Sequence, residues 1–160
     1  MSRTRFILHL VLVGSVLWLA PAGPVRGQGG GSDDSGTLEL TFDDLAFDME
    51  KDEVFEREML TDEINDLKGK RISLRGYILP ASVKKTTGIT GFVFVRDNQE
   101  CCFGPGAALY DCVLVKMKKN HSADFTVRPV EVEGDFLISE YKIGNRVMAI
   151  FRMKNCEVSQ

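Results

Sequence analysis

From Lys70 onward, apolar residues recur at every second position in short runs separated by turn residues. Ile72, Leu74 and Ile78 alternate with Arg71, Ser73, Arg75 and Tyr77, which puts the aliphatic side chains on one face of a pleated strand. Pro80 ends this strand, and Gly76 marks a bend or bulge within it. Residues 88–97 predict a second strand centred on Phe92, Val93, Phe94 and Val95. Residues 111–117 predict a third, with Val113, Val115 and Met117 on one face and Cys112 and Leu114 on the other. A fourth covers residues 125–133, where Pro129 favours an edge or bulged position. Gly134 and Asp135 read as a turn, residues 136–143 extend the meander, and residues 146–154 form the last strand. Five or six short strands with one small helix before them predict a mainly β fold, a small five- or six-stranded OB-like barrel.

The chain before this pattern divides by composition. Residues 1–27 read as a secretory signal peptide: Arg3 and Arg5 precede an apolar run of 15 residues, 6–20, and small residues follow. Spanning a bilayer takes about 20 apolar residues, so an uncleaved membrane anchor is the alternative rather than the first reading. Either way the working domain lies outside the cytoplasm, periplasmic or secreted. Residues 28–36 (Gln-Gly-Gly-Gly-Ser-Asp-Asp-Ser-Gly) form a flexible linker. Residues 37–59 are an acidic amphipathic lead, a short extended piece at Leu38 and Leu40 followed by an irregular stretch whose Leu45, Phe47 and Met49 face the domain. Residues 60–160 are the β domain. It opens on a helix that Thr61 caps and Gly69 closes, with Ile64 and Leu67 on one face.

Charge follows the same division. Between Asp33 and Asp66 there are 14 acidic residues against Lys51 and Arg57, whereas residues 67–160 carry 15 basic and 9 acidic residues. The acidic segment is therefore expected to dock on a mildly basic domain or to stand as a solvated face.

Export governs the reading of the four cysteines, Cys101, Cys102, Cys112 and Cys156, because disulfides persist outside the cytoplasm. Three of them lie in one stretch around Gly104, Pro105 and Gly106 that leads into the third strand. Thiolates suit soft or borderline metals, so Cys101, Cys102 and Cys112 are candidate ligands for zinc or copper, with Cys156, Asp111 or His121 as a fourth. The spacing matches no standard zinc signature. The alternative is a staple between Cys112 and Cys156, worth about 2–4 kcal/mol in a small domain. A redox role is the weakest of the three, since the adjacent pair lacks both the spacer of Cys-x-x-Cys and a flanking histidine.

Other chemistries find little footing. His121 is the only histidine beyond the signal region, so a histidine-rich metal site is excluded, and so is a histidine-based catalytic triad unless His121 carries it. No Lys-Ser/Thr follows the Gly-Pro-Gly turn to complete a phosphate cradle. Lys84, Lys85, Lys116, Lys118 and Lys119 are basic, but an exported, overall acidic chain is not expected to bind nucleic acid.

Three segments then carry a resemblance: Arg75-Gly-Tyr-Ile-Leu-Pro80, the Phe92 to Val95 strand, and Cys101 with Pro105 ahead of a valine-rich strand. Over residues 69–117 the chain resembles exported bacterial proteins of the DUF3299 type, which carry a Cys-x-His-x-Pro loop. Cys101 and Pro105 fall on the family cysteine and proline, Phe103 falls on the histidine, and Cys102 and Cys112 are additional thiols. The resemblance implies an exported accessory protein linked to metal handling or to a transporter. The expectation is a non-catalytic binding module whose loop, residues 101–112, coordinates a transition metal or contacts an envelope partner. A disulfide-stapled adaptor, acting through its acidic segment or basic face, is the alternative. Membrane contact is expected only if the signal segment stays uncleaved.

Overall fold

A computed structural model describes residues 36–49, 53–97 and 108–160. The period-two runs become β2 (Arg71–Ile78), β3 (Gly91–Val95), β4 (Cys112–Met117), β5 (Val130–Ile143) and β6 (Arg146–Ser159). A short β1 (Leu38–Leu40), two single-turn 3-10 helices and a short α-helix, α1 (Asp62–Asp66), precede them among the described residues. β2 pairs antiparallel with β3, β3 with β4, and β6 with β5, while β4 runs parallel to β6. β5 then returns to pair antiparallel with β2, so the hydrogen bonds close into a ring of five strands. β1 adds to β2 in parallel. The fold is mainly β, as the alternation implies. Ring closure leaves few unpaired edges, the usual liability of a short β domain.

Alternation sorts the side chains into two clusters. Ile72, Leu74 and Ile78, Phe92 and Phe94, Val113, Val115 and Met117, Val132 and Phe136, and Phe151 and Met153 meet in one buried core. The opposite faces of β3 and β4 carry Val93, Val95 and Cys112, which pack with Leu79 and Ala149 against Tyr77 and Leu114. This second cluster explains why the centre of β3 is apolar on both faces instead of alternating with polar residues.

Two expectations about glycine are corrected. Gly134 and Asp135 do not turn the chain; both lie inside β5, and the fourth and fifth expected strands are one. A side chain at Gly134 would start 2.5 Å from Cys156 Sγ, so this glycine admits the sulfur of the neighbouring strand. The register shifts here, between Glu133 and Asp135, and Asn155 opposite adopts a positive φ of 54°. This bulge carries β6 on past Lys154 to Ser159. Gly76 likewise makes no bulge in the β2–β5 ladder. It pairs with Val130 in an unbroken register, and a side chain there would start 2.5 Å from the Val95 carbonyl oxygen. The segment around Pro129 lies outside β5, which begins at Val130.

α1 forms as its capping residues predict. Thr61 Oγ accepts from the Ile64 N–H at 3.4 Å, Ile64 and Leu67 are buried, and Gly69 takes a φ of 83°. The lead joins the core: Phe42, Leu45 and Phe47 are all buried with the residues inside the ring of strands. Thr41 donates both its N–H and its hydroxyl to Asp44 at 2.7 Å, which starts a tight turn. The two donors hold the Asp44 carboxyl below its usual value.

Strand direction sets the two ends of the ring. The β3–β4 connection and the β5–β6 turn emerge at one end. The β2–β3 and β4–β5 connections emerge at the other. Among the described residues no helix is long and apolar enough to cross a membrane.

Candidate functional site at the β3–β4 connection

The cysteine-rich stretch is the β3–β4 connection, and its two ends are well defined. Arg96, just after β3, donates its backbone N–H to the Asp111 carbonyl at 3.2 Å, so the connection starts and finishes side by side. The Arg96 guanidinium lies 3.5 Å from the Asp111 carboxylate and also pairs with Asp43 of the lead. Burial pushes the Asp111 carboxyl above its ordinary value, Arg96 pulls it back, and Asp97 adds to the rise. Tyr110 packs edge-on against Phe47, with ring centroids 5.4 Å apart. The acidic lead thus reaches the neck of the connection through one ion pair and one aromatic contact. The ion pair alone is worth little, since Asp43 is largely exposed; the aromatic contact is the firmer link.

Cys101 and Cys102 lie outside the described residues. Cys112 is described, and it faces the outer apolar cluster, buried among Leu79, Val93, Val95 and Ala149. Its Sγ sits 3.8 Å from the carbonyls of Leu109 and Met148, each within reach of the S–H. Burial, with Asp111 beside it, pushes the Cys112 thiol up to about 12. Cys156 is buried in the main core, and burial pushes its thiol up to about 12 as well.

Cys112 and Cys156 are both free thiols. The register sets Cys156 across from Met117, at the far end of β4 from Cys112. Five residues of strand amount to roughly 16 Å, whereas a disulfide needs Cα atoms within about 7 Å. The anticipated staple between them is therefore not made here. His121 is also at that far end, exposed, with Nδ1 3.2 Å from the Lys119 carbonyl and Nε2 3.9 Å from Glu157. Of the candidate fourth ligands, only Asp111 stands at the neck of the cysteine-rich connection. No cluster of three or more His, Cys, Asp or Glu suited to a metal occurs among the described residues. Arg96 and Asp43 were not singled out from the sequence; they are 53 positions apart, and no local pattern joins them.

The thiol environments predict a reactivity split. An unfolded thiol ionises near 9, and these two ionise near 12 in the fold. At pH 8 the folded thiolate fraction of Cys112 and Cys156 is then lower by about a thousandfold. Both should resist iodoacetamide in native protein and react when it is unfolded in urea, read by mass spectrometry of the peptides. The sign for stability follows: between pH 9 and 12 the unfolded state has lost protons that the folded state keeps, so stability falls as pH rises through that window.

Comparison with known proteins agrees with this fold. A crystal structure of a DUF3299 family protein from Pseudomonas aeruginosa PAO1 matches with a TM-score of 0.54 at 21% identity, covering 77% of this chain and 95% of that one. At that identity the likeness speaks for the fold. No curated protein matches the chain. The family model described as "Protein of unknown function (DUF3299)" matches residues 31–160. That span takes in the lead together with every described strand, well beyond the three segments that carry the resemblance in the sequence, and the chain belongs to the DUF3299 family.

Proposed function

We propose that the protein is an exported, non-catalytic binding module whose β3–β4 connection coordinates a transition metal, zinc or copper, through Cys101 and Cys102. The observation that carries this reading is the fate of the other two cysteines. Cys112 and Cys156 are buried as protonated thiols in separate apolar clusters, so the metal is assigned to Cys101 and Cys102. Thiolates favour these metals over hard cations. Asp111 at the neck offers an oxygen donor on the same connection, and the backbone contact of Arg96 with Asp111 anchors both ends of the connection. Export is supported by the basic and then apolar character of residues 3–20.

Metal analysis and a free-thiol count on protein purified under reducing conditions test the proposal. About one equivalent of zinc or copper is expected, lost in Cys101→Ser and in Cys102→Ser and kept in Cys112→Ser. Metal-free protein with Cys101 and Cys102 oxidised would overturn it.

A further inference from the structure

The end of the ring opposite the cysteine-rich connection has a surface of its own. The β2–β3 and β4–β5 connections are zipped together there. Ile89 and Ala123 form an antiparallel bridge, Phe125 donates its N–H to the Thr86 carbonyl at 2.7 Å, and Gly88 donates to Asp124 Oδ1 at 3.0 Å. This pairing gathers Lys84 and Lys85 from one connection with Lys119 and Arg128 from the other. Lys116 joins them, its side chain lying along the start of β3 at Gly91. All five are exposed, and none makes an ion pair among the described residues. Lys118 at the same end is paired with Glu157 at 2.7 Å, and Asp124 is engaged by Gly88. Beside Arg128, Val127 is 74% exposed, the most exposed large apolar residue but one among those described.

We infer that this end of the ring docks on an anionic phospholipid surface, with the lysines and Arg128 at the headgroups and Val127 entering the interface. A flat anionic surface complements cations spread over two connections. An apolar tip flanked by basic residues is the arrangement that gains from the boundary between headgroups and acyl chains. Folding offers no use for Val127, which packs on nothing that buries it. Because the two ends are opposite, a molecule docked this way turns the neck at Arg96 and Asp111 away from the lipid. None of these lysines, nor Arg128 or Val127, is a residue on which metal binding rests, so lipid docking and metal binding stand or fall separately.

The test is vesicle flotation with protein of residues 28–160, which holds every described element and the whole described core. It omits the N-terminal apolar run, which would itself enter bilayers. Vesicles of phosphatidylglycerol and phosphatidylethanolamine should bind it, pure phosphatidylcholine should not, and binding should fall in 0.5 M NaCl. Each cation neutralised is expected to weaken partitioning about fivefold. The K84Q/K85Q/K119Q/R128Q variant should therefore lose a hundredfold or more, and V127S should lose several-fold with the salt dependence kept. A charge-matched control at the other end, K68Q/K70Q/K142Q/R146Q, should bind as the parent protein does. Equal binding by the two quadruple variants, or no preference for phosphatidylglycerol, would overturn the inference. So would retention on immobilised polyglutamate without vesicle binding, which would assign the surface to an acidic protein.

Discussion

Replacing Gly76 by alanine is expected to destabilise the protein by about 3 kcal/mol, the upper end for overpacking a core. The added methyl would stand 2.5 Å from the Val95 carbonyl oxygen, 2.9 Å from Phe42 Cε2 and 3.0 Å from Phe94 Cζ. The rings can tilt; the carbonyl cannot, because Val95 is paired with Tyr77 in the β2–β3 ladder. Relief would have to come from parting the two strands where the ring depends on them. Urea unfolding should show a lower midpoint at an unchanged slope, and Phe42→Leu in the same chain should recover only a minor part of the loss. Gly134→Ala gives the contrast. Its nearest clash is with Cys156 Sγ at 2.5 Å, so Cys156→Ala should recover much of that loss, leaving the 2.9 Å approach to the Lys154 carbonyl. A double-mutant cycle separates the movable neighbour from the fixed one.

These glycines also mark where the sequence stops being legible. Ile72, Leu74 and Ile78 announce β2 and its buried face because alternation is a local signal, and Thr61 and Gly69 frame α1 for the same reason. Gly134 followed by Asp135 has the composition of a turn, yet its role is set by a sulfur 22 positions later in the chain. Gly76 has the composition of a bulge, and its role is set by a carbonyl on the next strand. Close approach between strands leaves no mark within a single strand. The candidate site divides in the same way. Cys112 is visible as a cysteine beginning a strand, and the in–out alternation of β4 already puts it on the face opposite Val113. Which face is covered, and by what, depends on Leu79 and Ala149, which meet it only through the ring. The junction of Arg96 with Asp43 and Asp111 likewise joins three distant segments.

Phe47→Ala should cost about 3–4 kcal/mol, as much as truncating a phenylalanine of the ring interior. Although Phe47 belongs to the acidic lead, it is only 6% exposed. Its ring meets Phe55 at 6.0 Å, Tyr110 at 5.4 Å and Phe151 at 6.5 Å, all edge-on. Phe151 in turn lies 5.3 Å from Phe136, so the lead's aromatic ring continues into the stack that fills the ring of strands. Removing it opens a cavity between the core and the neck of the cysteine-rich connection. The loss should therefore be felt in two places: in global stability, and in the local order of residues 108–111. Hydrogen exchange tests the second directly. The Asp111 amide, which donates to the Ala108 carbonyl at 3.1 Å, and the Arg96 amide, which donates to Asp111, should lose protection beyond what the drop in global stability accounts for. Tyr110→Ala should lose part of the same protection, and the two changes should be less than additive because they delete one contact from either side. Full additivity, with Arg96 and Asp111 still protected, would mean that the lead packs on the ring without supporting the connection. In that case Arg96 alone, through its contacts with Asp111, would hold the neck closed.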